Sequence, residues 1–348
     1  MKVETDDPEG DWTRPGIYEV DPGVYRIPLP LPHDALRAVN VYAITPAAGG
    51  ADDLVVVDAG WNIPVARETL QAALHALGKD LSEVRRFLVT HVHRDHYGQA
   101  VALRREFGMP VGLGRGERPT VEALTVRHER LAQFVTILHR GGAFELIDWL
   151  RSLGEVPEEH AIEWAGPDEW FVNGQAIALP HRTLTVVETP GHTNGHVVFV
   201  DDAASLLFAG DHVLPHITPS VGFEPVPVDG VLGNYLGSLR LVRELPDRRL
   251  LPAHGPVRPS VHARVDELID HHHRRLDEML AGLAGDELTA VQCASRVGWT
   301  RRRRAFAELD EFNQMLAVGE TGAHLDLLVA QGRAKADERD GVRFYAAI

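Results

Sequence analysis

The stretch Arg86-Phe87-Leu88-Val89-Thr90-His91-Val92-His93-Arg94-Asp95-His96 decides the fold. Its apolar first half reads as a buried strand, and its second half gathers three histidines and an aspartate within six residues. On a strand that is ending, residues two apart point the same way, so His91 and His93 converge on one ion while Asp95 and His96 turn toward a neighbouring point. Two adjacent metal sites are the expectation. Solvation of a surface loop is the plainer alternative, and the density of ligand-type side chains argues against it.

Further groups of the right type stand where strands would end. Thr189-Pro190-Gly191-His192-Thr193-Asn194-Gly195-His196 follows Leu184-Thr185-Val186-Val187-Glu188. Gly210-Asp211-His212 follows Leu206-Leu207-Phe208-Ala209, and Pro252-Ala253-His254-Gly255 follows Leu250-Leu251. Upstream, Val55-Val56-Val57-Asp58-Ala59-Gly60 has the same form.

In this order the motifs resemble the metallo-β-lactamase superfamily, whose pattern is an HxHxDH run followed by a distant His, an Asp and a final His. The resemblance covers about residues 20–275. It implies an α/β fold of αββα sandwich type, with His91, His93 and His192 on one metal, Asp95, His96 and His254 on a second, and Asp211 bridging. Asp58 matches the family's first motif, where the carboxylate supports a ligand from behind; a strand-end turn is the alternative role. With both metal shells filled, His196 is expected to pack behind the ligands. The loop 212–230 leaves from Asp211 and should border the pocket, making His216 and Phe223 candidate substrate contacts, with loop packing as the alternative.

A chain of 348 residues accommodates a large core with an appendage. Its one cysteine, Cys293, excludes an internal disulfide and cysteine-rich zinc sites. Two divalent ions are therefore expected on histidine and carboxylate, zinc first, with iron or manganese as alternatives. The start, Met1-Lys2-Val3-Glu4-Thr5-Asp6-Asp7-Pro8, has no basic-then-apolar leader, and no window suits a bilayer, so a cytoplasmic protein is expected. The net charge of -15 argues against a nucleic-acid partner and leaves a small-molecule substrate. Arg301-Arg302-Arg303-Arg304 is the exception, read in preference as a solvated helix face.

Strands are expected at 23–29, 38–44, 53–58 and 86–90, helices at 65–77 and 99–107, and a second strand-rich region at 175–209. That alternation indicates a layered α/β core without separating a sandwich from a doubly wound sheet. Residues 1–285 form the expected catalytic domain, with a helical insertion at 116–166 whose stripe Leu131, Phe134, Val135 and Leu138 seeks an apolar partner. It reads equally as a lid or as a structural insertion or homo-oligomer contact. His128, His139 and His160 within it are expected to be exposed helix residues. His271-His272-His273, on an amphipathic helix over 261–283, face different directions and read as solvated surface. Residues 286–348 read as a separate small domain with short helices opening at Leu288-Thr289-Ala290, around 302–309 and around 322–331, then a hairpin. This order resembles a winged-helix unit with a packing or pocket-closing role.

Two divalent cations about 3.5–4 Å apart share a hydroxide at neutral pH, which makes hydrolysis the expected reaction. Asp95 is placed to relay the proton, and the residual positive charge favours a developing oxyanion. The favoured substrate is a small thioester such as an acyl-glutathione or acyl-CoA. A lactone is the nearest alternative, but His212-Val213-Leu214-Pro215 stands where quorum-lactone hydrolases carry a tyrosine. β-Lactam hydrolysis, a mononuclear-iron reaction like that of persulfide dioxygenases, nuclease activity and a non-catalytic binding module complete the alternatives.

Overall fold

A computed structural model describes residues 1–348 apart from 33, 47–53, 126–129 and 154–163. The chain divides into two compact units. The first comprises Met1–Val121, Ile162–Pro219 and Leu239–Val265. Its apolar runs become two sheets. One has eight strands in chain order: β1 (Val3–Thr5), β2 (Ile17–Asp21), β3 (Val24–Pro30), β4 (Ala38–Ile44), β5 (Leu54–Val57), β6 (Val84–Leu88), β7 (Val111–Gly114) and β8 (Glu169–Phe171). Pairing is antiparallel from β2 to β5 and parallel from β5 to β8.

The other sheet holds β9 (Ala176–Leu179), β10 (Arg182–Glu188), β11 (Val197–Asp201), β12 (Leu206–Gly210) and β13 (Arg249–Pro252), in reverse spatial order. The two inner faces meet in one core that includes Tyr42, Val55, Leu88 and Phe171 from the first sheet and Leu184, Phe199 and Phe208 from the second. Phe171 meets Phe199 edge-on at 5.6 Å, and Tyr42 meets Phe208 at 5.5 Å. Helices α1 (Pro64–Ala76) and α2 (Arg94–Phe107) cover the first sheet at β3, β4 and β7. This is a sandwich, and the doubly wound alternative falls.

Two local expectations differ from the structure. Helix α2 starts at Arg94, not near residue 99, because its polar first turn carries no apolar stripe to announce it. β6 ends at Leu88, so the HxHxDH run is not an alternating strand end. His91 lies in the loop, His93 is the N-cap of α2, and Asp95 and His96 occupy its first turn, where the helix dipole favours a carboxylate.

The second unit comprises Glu122–Ala161, Ser220–Ser238 and Asp266–Ile348. Helices α3 (Arg118–Thr125), α6 (Val231–Glu244) and α7 (Val261–Gly282) contribute residues to both units. In the second, α4 (Arg130–Arg140) and α5 (Phe144–Ser152) pack on α9 (Glu311–Ala330), with α8 (Ala290–Ala294) beside it. β14 (Leu288–Thr289), β16 (Val342–Ala347) and β15 (Ala334–Arg339) form a small sheet in that order. The apolar stripe of the insertion therefore finds its partner within the second unit: Leu138 is buried, and Phe134 stacks on Phe223 at 4.6 Å.

Three further expectations change. No regular α-helix forms over 302–309: Thr300 and Arg303 take positive φ (61° and 55°), which interrupts helical geometry, and only a single 3-10 turn follows at Phe306–Glu308. The four arginines are exposed, on a turn. Helix α9 begins at Glu311 rather than near 322, capped by Asp310 on the Asn313 amide at 2.9 Å. Gly319, inside this helix, marks a close approach: a Cβ there would lie 2.8 Å from the Gly222 carbonyl. Finally, His272 is buried, not solvated, because it continues the inward stripe Leu268, Leu276 and Met279. His128 and His160 lie outside the described residues; His139 is half-buried with its ring edge-on to Phe144.

Candidate metal centre

Each donor follows a strand of the first unit. His91 and His93 come after β6, His192 after β10, Asp211 directly after β12 and His254 two residues after β13. Ligand atoms of His91, His93, His192 and Asp211 all lie within 4.8 Å of one another. So do those of Asp95, His96 and His254. His93 Nδ1 is 3.0 Å from His91 Nε2 and 3.1 Å from His192 Nε2.

Asp211 faces both groups. Its Oδ2 is 3.5 Å from His192 Nε2, whereas Oδ1 is 3.7 Å from His96 Nε2 and 3.4 Å from His254 Nε2. Asp95 Oδ2 closes the second group at 3.4 Å from His254 Nε2 and 3.6 Å from His96 Nε2.

The outer nitrogens fix the rings. His96 Nδ1 is 2.9 Å from Asp58 Oδ2, and His254 Nδ1 is 2.7 Å from the Ala38 carbonyl. Asp58 also accepts from the Thr90 amide at 2.8 Å and from its hydroxyl, tying the end of β5 to the segment entering His91. A neutral imidazole whose Nδ1–H is engaged presents a bare Nε2 inward. His96 Nε2, His254 Nε2 and Asp211 Oδ1 are buried, and none makes a hydrogen bond with the described residues. Three converging atoms left this way would each cost free energy, and a divalent cation between them satisfies all three. The donor set fits a metal.

The two groups differ electrically. Burial and the neighbouring imidazoles push His93 down to about 3 and hold His91 well below its ordinary value, so these rings are neutral donors. Burial also opposes charge on His96, but Asp95, Asp58 and Asp211 outweigh it and raise the ring to about 10. Asp211 and Asp95 likewise raise His254 against its burial. The same imidazoles hold Asp95 ionised despite its burial. The carboxylate-rich group attracts positive charge, and a bound metal would displace its protons.

His196 offers no metal-facing atom: its Nε2 accepts from the Asp211 amide at 3.2 Å, while Nδ1 lies 2.9 Å from Thr189 Oγ1. It positions Asp211 from behind. Gly210 makes this possible, with φ of 50° and space for no side chain; a Cβ would lie 2.7 Å from both His196 Nε2 and Thr90. His216 is half-buried in the segment after Asp211. Phe223 lies in the second unit, between Phe134 and Phe312.

Three residues near the donors escaped the motif reading. Asn40 Nδ2 donates to the carbonyls of Pro252 (3.0 Å) and Gly255 (2.8 Å), and the Tyr42 hydroxyl donates to Pro252 at 2.8 Å, so β4 fixes the turn that carries His254. A lone Asn inside the apolar Ala38-Val39-Asn40-Val41-Tyr42 was the available signal. Glu117, buried under the loops of His93 and His192, gave no signal at all.

Residues 34–254 match the metallo-beta-lactamase superfamily. The chain belongs to that superfamily, and its fold and donor set are those of a metal-dependent hydrolase. Among its relatives is a Bacillus subtilis protein named "Probable metallo-hydrolase YqjP", 24% identical over 328 residues, or 88% of this chain and 91% of that one. Another is the lactamase-like protein nscB of Neosartorya fischeri, 26% identical over 248 residues; the match covers 71% of this chain and 57% of that protein. A crystal structure of a metallo-beta-lactamase family protein from Thermus thermophilus superposes with a TM-score of 0.78 at 27% identity, covering 95% of this chain and all of that one.

Proposed function

We propose that the protein is a dinuclear metallohydrolase acting on a small ester-like substrate, with a thioester favoured. The observation that carries the two-ion reading is Asp211, whose two oxygens face different donor groups, Oδ2 toward His192 and Oδ1 toward His96 and His254. His91, His93 and His192 would hold one divalent cation, Asp95, His96 and His254 the other, with Asp211 between them. Zinc suits this nitrogen and oxygen set, and iron or manganese would also be accepted. Bound divalent cations supply Lewis acidity and lower the pKa of water toward neutrality.

The chain's own groups do the rest. Asp95 is held ionised at the mouth of α2 and serves as proton acceptor or relay. His196, Asp58, Asn40 and Tyr42 hold the donors in place before substrate arrives. His216 lies downstream of Asp211 and is the nearer substrate-contact candidate; Phe223, packed against two other phenylalanines, is the weaker.

We also read β14, α8, α9 and the β15–β16 hairpin as a winged-helix-like arrangement used for packing, supported by element order and by the insertion resting on α9. A cytoplasmic setting is part of the same proposal, supported by a single cysteine that is buried. Among the described residues, no helix is long and apolar enough to cross a membrane.

The test is a panel of thioesters, lactones, β-lactams and phosphodiesters offered to metal-reconstituted protein. Thioester turnover well above the metal-free control is expected. None above it removes the favoured substrate, and turnover of lactone or RNA alone would reassign the site.

A further inference from the structure

Glu117 lies in a short turn after β7, with no exposed surface. Its Oε1 accepts from the Thr193 hydroxyl and, at 3.4 Å, from the Val92 amide. Val92 separates His91 from His93, and Thr193 follows His192. One buried carboxylate thus joins the two loops that provide all three imidazoles of one donor group. The contact is built in: a Cβ at Gly195 would lie 2.6 Å from Glu117 Cγ, and one at Gly116 would lie 2.6 Å from the Asn194 carbonyl. Among the described residues nothing comparable links Glu117 to Asp95, His96 or His254; Asp58 holds His96, and the Ala38 carbonyl holds His254.

A buried carboxylate held by neutral donors alone is costly. Burial alone would raise Glu117, and the hydrogen bonds from Thr193, Val92 and Gly195 offset only part of this, leaving it at about 7. Core packing could use an apolar residue here, so the carboxylate calls for a role. It ties together two loops whose imidazoles face each other and whose bases are joined by a hydrogen bond from the Val197 amide to the Thr90 carbonyl at 2.9 Å.

We propose that Glu117 is a positioning residue that sets the spacing of the His91–His93 and His192 loops and so governs cation affinity at the three-histidine group alone. This rests on the two-ion reading above. Removing the carboxylate should weaken that one ion about 10-fold or more, the usual scale for a lost support behind metal ligands, and leave the other unchanged.

The test uses full-length protein stripped of metal and titrated with Co2+, with elemental analysis for stoichiometry and paramagnetically shifted imidazole signals to assign each ion. Wild type should take two equivalents. E117A should lose affinity selectively at the three-histidine group, T193V should reproduce part of the loss, and E117Q, which keeps an acceptor oxygen, should recover most of it. T193V carries the test if E117A fails to fold. Two ions bound by the variants with wild-type affinity overturn the inference, as does equal weakening of both ions, which would mark a general structural role. A wild type that takes up no cation ends the two-ion reading itself, a different failure from two-ion wild type with unaffected variants.

Discussion

Two clusters of buried histidines in this protein do opposite things. In the first unit, imidazole and carboxylate atoms converge, and at the carboxylate-rich group the outer nitrogens of His96 and His254 are engaged while their Nε2 atoms and Asp211 Oδ1 make no hydrogen bond with the described residues. In the second, His272 Nδ1 lies 3.1 Å from His324 Nε2, and His324 Nδ1 meets the Glu320 carbonyl at 2.7 Å. Here the rings engage each other in a chain, with the Arg275 guanidinium nearby to repel a cation. Burial holds His324 at about 3 and His272 well below its ordinary value, so both are neutral. Histidine density does not make a metal site. Convergence of lone pairs on one point, with carboxylates to balance charge, does.

The comparison breaks most visibly at Asp211. Replacing it with Ala should lower kcat/KM by roughly 10³-fold, the scale of losing a preorganised charge at the reacting centre, while thermal unfolding of the protein stays cooperative. Activity within about tenfold of wild type would detach Asp211 from the chemistry.

A smaller effect is expected behind the ligands. D58N should leave the fold intact and weaken metal uptake at the His96 group by about 10–100-fold in a competition titration, because His96 loses the partner that orients it. Unchanged affinity would reduce Asp58 to a turn residue.

The second cluster should respond to pH instead of metal. Its histidines are neutral when folded and have ordinary values near 6.5 when unfolded, so their stabilising effect is full above about pH 6.5. It is lost as pH falls toward the folded value of about 3 for His324. Each such group contributes a loss of up to about 1.4 kcal/mol per pH unit in that window. Hydrogen exchange in α7 and α9 at pH 7 and pH 5 reads this directly, and equal protection at both would contradict it.

The smallest change lies at the cap of α8. Thr289 accepts from the Gln292 amide while Gln292 reaches back to the Thr289 amide at 2.9 Å, so T289A should cost about 1 kcal/mol in denaturant unfolding and leave metal content untouched.

The contrast also explains what could be read in advance. The donors were legible because each polar group ends an apolar run, and the strands at 38–44 and 23–29 lie close to β4 and β3. The mechanism of convergence was not: His93, Asp95 and His96 are placed by the start of a helix whose polar first turn has no periodic signature. Asn40 was readable as a polar residue in a buried strand, whereas Glu117 depends on loops brought together from distant sequence. His272 was misread as solvated because three consecutive histidines look polar, although its spacing from Leu268 and Leu276 places it on the inward face. The turn at 300–304 depends on positive φ at Thr300 and Arg303, and the early start of α9 on the Asp310 cap, which a linear reading did not weigh.

The central claim is that the two donor groups bind cations as a pair. Metal-stripped protein titrated with Zn2+ under calorimetry, with elemental analysis of the saturated product, should show two equivalents per chain. One equivalent, or none, at saturation would contradict the account.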